Sequence, residues 1–260
     1  MSTECLKVER RGAVLEVVLD RPKANAIDAA TSREMGKLFA GFRDDPGLRV
    51  AIVTGTGRFF CAGWDLKAAA NGEAPDSDYG VGGFAGLQTL PGLNKPVIAA
   101  VNGMAVGGGF ELALSADLIL ASASARFSLP EITAGTLADA ATVKLPRRIP
   151  YHVAMDLLLT GRWMEAEEAY RWGLVKEVTS DADLLPKARE LAALLADGPP
   201  LVFASIKEVV RESQTLGFED AIGRIMRRAF PSVTALYSSD DQLEGARAFA
   251  EKRKPVWKGR

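Results

Sequence analysis

Short apolar runs alternate with helical spacing through the first half of the chain. Val14-Leu15-Glu16-Val17-Val18-Leu19 predicts a strand that ends at Asp20-Arg21-Pro22. From Thr31 the spacing turns helical, with Met35, Leu38, Phe39 and Phe42 on one face, and Thr31 and Glu34 placed for a capping box at or near its start. Val50-Ala51-Ile52-Val53-Thr54 predicts a strand closed by Gly55-Thr56-Gly57, and Val97-Ile98-Ala99-Ala100-Val101 another, closed by Asn102-Gly103. Both are nearly continuous apolar runs, as expected of strands covered on two faces. A helix opens at Gly107-Gly108-Gly109, and Leu118-Ile119-Leu120-Ala121 begins a further strand. This alternation places the chain in the α/β class.

Beyond about residue 150 the spacing is mostly helical, with helices predicted over 151–160, 165–172 and around Leu184, Ala188, Leu191 and Leu195. Asp197-Gly198-Pro199-Pro200 is a cluster that helices seldom cross. It divides a core, 1–197, from a helical region, 198–260, with helices near 201–214, 218–229 and 242–252. That tail is small for an independent domain, so it is expected to pack on the core or on a neighbouring subunit. The segment 68–92 differs in kind, being rich in Gly, Ala, Asp and Pro with weak periodicity. A connection this long inside a domain is usually functional, and a lid or pocket wall is the expectation.

Composition narrows the function classes. The chain has 260 residues, 48% apolar and 25% charged, with a formal net charge of −1. That near-neutral balance argues against a nucleic-acid or membrane-surface binder, which would show a basic excess. Acid or glycine interrupts every apolar run before it reaches the ~20 residues of a membrane span. The two cysteines, Cys5 and Cys61, and the single histidine, His152, exclude His-rich zinc sites and any triad that avoids that histidine. His152 sits in a helix-like run and is assigned a structural role. Met1-Ser2-Thr3-Glu4 lacks the basic and apolar regions of a signal peptide, so residence in the cytoplasm with reduced thiols is expected.

Candidate chemistry gathers at two acids. Glu111 sits behind three glycines in Gly107-Gly108-Gly109-Phe110-Glu111-Leu112, and Glu131 follows in Phe127-Ser128-Leu129-Pro130-Glu131. An unpaired carboxylate in apolar surroundings costs several kcal/mol or takes up a proton. Two such acids with unlike environments are what general acid/base chemistry needs, one neutral and one ionised. Glu111 could instead be a carboxylate that complements a helix N-terminus. The glycines let a ligand approach the free N–H groups of that helix start, although a close-packed helix start needs them equally. They fit neither a P-loop nor a dinucleotide fingerprint. A second set of backbone donors could lie in Phe59-Phe60-Cys61-Ala62-Gly63-Trp64-Asp65-Leu66, where Trp64 could also simply be core.

The runs Phe60–Leu66, Lys95-Pro96-Val97-Ile98-Ala99-Ala100-Val101-Asn102-Gly103, Gly107–Ala113 and Pro130-Glu131 resemble the crotonase (enoyl-CoA hydratase/isomerase) superfamily in order and spacing, across essentially the whole chain. Asp20-Arg21-Pro22-Lys23-Ala24-Asn25-Ala26-Ile27-Asp28, Gly63-Trp64-Asp65-Leu66-Lys67-Ala68-Ala69-Ala70 and the closing Pro255-Val256-Trp257-Lys258-Gly259-Arg260 are most similar to its members that interconvert crotonobetainyl-CoA and carnitinyl-CoA. The resemblance implies a spiral of ββα units with a C-terminal helical region that assembles trimers or pairs of trimers. It implies a thioester oxygen held by the N–H groups of Trp64 and Gly108, and catalysis by Glu111 and Glu131. CoA adenine would lie against backbone near Ala62, Asp65 and Leu66, with Lys23 a candidate for a CoA phosphate. No metal or redox cofactor is implied, since coenzyme A enters as part of the substrate. A trimethylammonium acyl group would call for aromatic faces; Trp64, Tyr79 and Phe84 are placed in sequence to supply them, and ordinary packing would account for each equally well.

One stretch departs from the pattern. After Gly135, many relatives carry a proline and paired glycines where this chain has Thr136-Leu137-Ala138-Asp139-Ala140-Ala141-Thr142, which is expected to reshape the acyl pocket wall. The resemblance to relatives with an acid at this place implies that Asp139 faces the pocket. The expected activity is therefore reversible hydration of a short-chain 2-enoyl-CoA. The alternatives are a generic hydratase or isomerase, and a catalytically degenerate acyl-CoA-binding paralogue. Two retained glutamates favour hydration over isomerisation and argue against the degenerate paralogue, for which the altered stretch Ala138–Thr142 argues mildly.

Overall fold

The structure, a computed structural model, describes residues 5–260; the opening 1–4, read for a targeting signal, lies outside them. A hairpin of β1 (Leu6–Arg11) and β2 (Val14–Leu19) leads into α1 (Ala29–Asp44). One unit then recurs three times, a strand, a second short strand and a helix. These are β3 (Val50–Gly55), β4 (Phe59–Cys61) and α2 (Leu66–Ala70); β5 (Val97–Val101), β6 (Met104–Val106) and α3 (Gly108–Ala113); and β7 (Leu118–Ser122), β8 (Arg126–Ser128) and α4 (Glu131–Ala134). After them come α5 (Asp139–Lys144), α6 (Tyr151–Thr160), β9 (Met164–Glu165), α7 (Ala166–Arg171), β10 (Glu177–Thr179) and α8 (Leu184–Ala196). The chain closes with α9 (Pro200–Glu212), α10 (Phe218–Met226), α11 (Pro231–Tyr237) and α12 (Asp241–Ala250).

The first strand of each unit joins a six-stranded sheet of order β1-β2-β3-β5-β7-β10, and the second joins a four-stranded sheet of order β4-β6-β8-β9. Pairing is parallel except at β1–β2 and β8–β9. Each unit thus returns to the same two sheets one strand further along, and the chain advances as the expected α/β spiral. The unbroken apolar runs follow from burial on both faces. Val50, Ile52, Ile98, Ala100 and Leu120 pack beneath Leu184, Ala188 and Ala192 of α8. Their alternating neighbours Ala51, Val53, Val97, Ala99 and Val101 face the larger core with Phe39, Phe60, Phe110 and Phe127.

The capping box expected at Thr31 and Glu34 is corrected. The cap is Asp28, whose side chain accepts from the Thr31 N–H at 2.7 Å, so the helix starts at Ala29 and Thr31 is buried in its first turn. Asp28 is held for this role by Arg21 at 2.7 Å. Arg49, just before β3, donates to the main-chain oxygens of Ala196 (3.0 Å), at the end of α8, and of Trp257 (2.7 Å), beyond the Asp197–Pro200 break, and Lys207 of α9 donates to the Lys95 carbonyl (2.7 Å). These bonds tie the closing helices back to the sheet. Among the described residues no helix is long and apolar enough to cross a membrane.

Candidate active site

The connections that follow the short strands converge on a cavity of about 400 Å³, lined by Ala62, Trp64 and Leu66 from the first unit, Gly107, Gly108 and Glu111 from the second, and Glu131 from the third. The 68–92 segment forms one wall through Asp76, Tyr79, Phe84 and Gln88, and Asp139 closes the side near α5.

Glycine brings the backbone segments together. The bridge between Ile27 and Trp64 uses the Gly63 carbonyl (2.8 Å from the Ile27 N–H) and the Asp65 N–H (2.9 Å from the Ile27 carbonyl). Strand geometry turns the intervening Trp64 N–H to the opposite edge. Among the described residues neither that N–H nor the one of Gly108, at the start of α3, has an acceptor. A Cβ on Gly63 would lie 2.9 Å from the Gly108 nitrogen, and one on Gly109 would overlap the Cys61 carbonyl. Both positions must therefore be glycine for the two donor segments to touch.

Glu111 is 6% exposed. Its Oε1 accepts from the Ala141 N–H at 2.8 Å and its Oε2 from the Gln88 amide at 3.0 Å. Neither donor belongs to α3, so the carboxylate does not serve as a partner for its own helix start. Burial raises its pKa and the charge of Asp139 adds to this, whereas the Ala141 N–H and Lys144 act in the other direction. Glu131 opens α4, and its Oε2 is buried with no hydrogen-bond partner. Burial pushes its pKa from the ordinary 4.5 up to about 7, with the charges of Glu111 and Asp139 adding. Gly107, at φ 53°, lies directly below; a Cβ there would come within 2.6 Å of Glu131 Oε1. The two acids therefore share one cavity with unlike partners, one held by two N–H donors and one left without any on its buried oxygen.

The other sequence candidates divide. Asp139, Ala62 and Leu66 line the cavity, as do the three aromatics Trp64, Tyr79 and Phe84. Tyr79 packs edge-on against Phe84 with ring centroids 5.5 Å apart, and the Trp64 indole N–H donates to Glu73 at 2.7 Å. Asp65 is not in the lining; its carboxylate is held by Arg21 at 2.6 Å and caps α2 through the Lys67 N–H at 2.9 Å. Lys23 is exposed and outside the lining. His152 is exposed on α6 against Tyr151, away from the cavity. Burial pushes the Cys61 thiol up to about 12, which leaves it unreactive. Sequence reasoning did not single out Gln88, Asp76, Glu73 or the Ala141 N–H. Gln88 and Asp76 sit in the segment read as a wall, and a long amide among small residues there was the available signal. Ala141 contributes only a main-chain group, which no side chain advertises.

Charge in the cavity is one-sided. Asp76, Glu111, Glu131 and Asp139 contribute carboxyl groups, and among the described residues no Lys or Arg lines it. Among those residues, too, no group of three or more His, Cys, Asp and Glu is arranged to hold a metal ion. The arrangement can hold an oxyanion on two N–H groups, donate and accept a proton within one cavity, and favour a cationic group there.

Comparison with known proteins agrees with this chemistry. The enoyl-CoA hydratase/isomerase family model matches residues 9–260. A carnitinyl-CoA dehydratase of Proteus mirabilis is 55% identical over 99% of this chain and 100% of the relative, and one of Escherichia coli K12 is 54% identical over the same shares. Among solved structures, an enoyl-CoA hydratase from Mycobacterium tuberculosis superposes with a TM-score of 0.90 at 39% identity, covering 99% of this chain and 100% of that one. A carnitinyl-CoA hydratase from Mycobacterium avium superposes with a TM-score of 0.76 at 40% identity, covering both chains fully.

Proposed function

The chain belongs to the enoyl-CoA hydratase/isomerase family, and on that premise we propose that it is a hydro-lyase interconverting crotonobetainyl-CoA and carnitinyl-CoA. The observation that carries the substrate choice is the cavity lining, four carboxyl groups and three aromatic rings with no basic side chain. A trimethylammonium group has no N–H to donate, so aromatic faces and diffuse negative charge are the groups that recognise it. A neutral enoyl chain would gain nothing from Asp76 and Asp139.

The reaction follows from the two acids. Glu111, supplied with two N–H donors, is the ionised base that takes a proton from water. The water oxygen bonds to the β-carbon, the π electrons move towards the thioester, and the enolate oxygen is held by the Trp64 and Gly108 N–H groups. Glu131, short of donors and therefore protonated near neutrality, delivers its proton to the α-carbon. The pair ends with the proton on Glu111, and dehydration runs the same steps in reverse. Coenzyme A arrives as part of the substrate, so no further cofactor takes part. Its adenine would rest against the backbone at Ala62, Asp65 and Leu66, with Lys23 a candidate for its phosphates. Purified protein assayed on both thioesters tests the substrate reading. Higher kcat/KM for crotonobetainyl-CoA than for crotonyl-CoA is expected, and the reverse order would make the protein a general short-chain hydratase.

The helical region 198–260 forms, on this reading, the contact of a homo-oligomer, a trimer or a pair of trimers, in the cytoplasm. Support comes from Phe218, Ile222 and Met226, one face of α10 at 81%, 42% and 78% exposure, and from Phe249 at 87%. Light scattering of the wild type and of Phe218→Asp tests this; a monomeric wild type would refute it.

A further inference from the structure

The mechanism leaves unused one half-buried cation beside the catalytic cavity. Lys144, the last residue of α5, has no carboxylate within salt-bridge distance among the described residues. A cation withdrawn from water without a counter-ion is costly and calls for an explanation. Its ammonium donates to the Ser115 hydroxyl at 2.9 Å and to the Gln88 main-chain carbonyl at 3.3 Å. Both acceptors continue to Glu111. The Ser115 hydroxyl donates to the Glu111 carbonyl at 2.8 Å, and the Gln88 amide donates to Glu111 Oε2 at 3.0 Å. Three residues before Lys144 on the same helix, the N–H of Ala141 holds Oε1 at 2.8 Å.

We propose that Lys144 is a positioning residue for Glu111, holding through Gln88 the residue whose amide aims its carboxylate and through Ser115 its main chain, and placing a cation beside it. This rests on the reading of Glu111 as the base in hydration. Geometry separates the role from that of a solvated lysine, because both hydrogen bonds point inward and converge on one residue. Of the charges that face Glu111, those of Glu131 and Asp139 oppose its ionisation and Lys144 alone favours it. Lys144 in turn faces Arg148; burial and that neighbouring charge pull its pKa down to about 8. The cation is therefore present at neutral pH and is lost just above it.

The test is the pH dependence of kcat and KM for Lys144→Met, Lys144→Arg and Ser115→Ala. Lys144→Met should lower kcat about tenfold with KM within about twofold, and should move the acidic limb of kcat/KM to higher pH, since an uncompensated Glu111 takes up its proton sooner. Lys144→Arg, which keeps the charge, should restore the limb. Ser115→Ala should move it the same way by less. An unmoved limb in Ser115→Ala overturns the proposal even where Lys144→Met fails to fold, and so does a loss in Lys144→Met that leaves the limb in place. Full activity in Glu111→Gln would overturn the base assignment itself, a result that no Lys144 variant can mimic.

Discussion

Replacing Glu131 by Gln separates a charge effect from a packing effect, because the amide has the same shape and no titration. The carboxyl has an ordinary value of 4.5 and is pushed to about 7 in the folded protein, first by burial and then by the charges of Glu111 and Asp139. A group whose folded pKa is raised stabilises the fold fully below its unfolded value and loses that contribution as pH rises towards the folded value. Between pH 4.5 and about 7 the wild type therefore gives up stability that the glutamine variant keeps. At about 1.4 kcal/mol per pKa unit, the upper limit is roughly 3 kcal/mol. Glu131 is only half-buried, so solvent screening reduces this to about 1–2 kcal/mol. For a chain of this size that corresponds to roughly 2–8 °C in Tm. The variant also places an amide where Oε2 has no partner, a cost that is the same at every pH. Calorimetry at pH 5 and pH 8 isolates the charge term as a change in the Tm difference between variant and wild type. That difference should move in favour of the variant by several degrees at the higher pH. A difference that stays constant, or moves the other way, would refute the reasoning that Glu131 is desolvated and unpaired.

Further predictions concern activity. Asp139→Asn should raise KM for crotonobetainyl-CoA roughly fivefold, about 1 kcal/mol for a charge pair near solvent, with little change for crotonyl-CoA; steady-state assays on both thioesters check this, and equal effects would remove Asp139 from recognition. Trp64→Leu, which keeps the main-chain N–H, should show the same selectivity. Gly109→Ala should lower kcat by about 10²–10³, because a Cβ overlapping the Cys61 carbonyl drives the two oxyanion donors apart; unchanged kcat would mean that their spacing is immaterial. Both directions of the reaction need the acid pair to hold a single proton, so hydration and dehydration should give bell-shaped kcat/KM profiles with the same two limbs, the upper one near pH 7. Profiles displaced from each other would contradict a shared proton.

What the sequence made legible, and what it concealed, follows from the range of the interactions. The strands at Val50 and Val97 and the helix at Tyr151 were readable because local periodicity and burial agree there. The two acids were readable because charge inside an apolar run is a local anomaly. β1 escaped notice because Lys7, Glu9, Arg10 and Arg11 hide its alternation, as befits an edge strand with most of its residues partly or fully exposed. The short α11 opens on a proline and carries no strong period. The partners of Glu111 were beyond local reading altogether. Gln88 arrives from 23 residues upstream and Ala141 from 30 downstream, and the latter offers only a main-chain N–H. The departure at residues 138–142 thus proves to be part of the support for the catalytic acid, since its helix supplies that donor. Asp65 matches a motif beside the cavity, and its carboxylate is taken up by Arg21 and a helix cap, so the expectation there concerns its main chain alone.

The hydration rate of crotonobetainyl-CoA by Glu111→Gln and Glu131→Gln, each compared with the wild type, tests the central claim most directly. Each single variant should lose about 10²–10⁴-fold in kcat, and the double variant should lose little more, because base and acid serve one step. Full activity in either single variant would contradict hydration by a pair of glutamates.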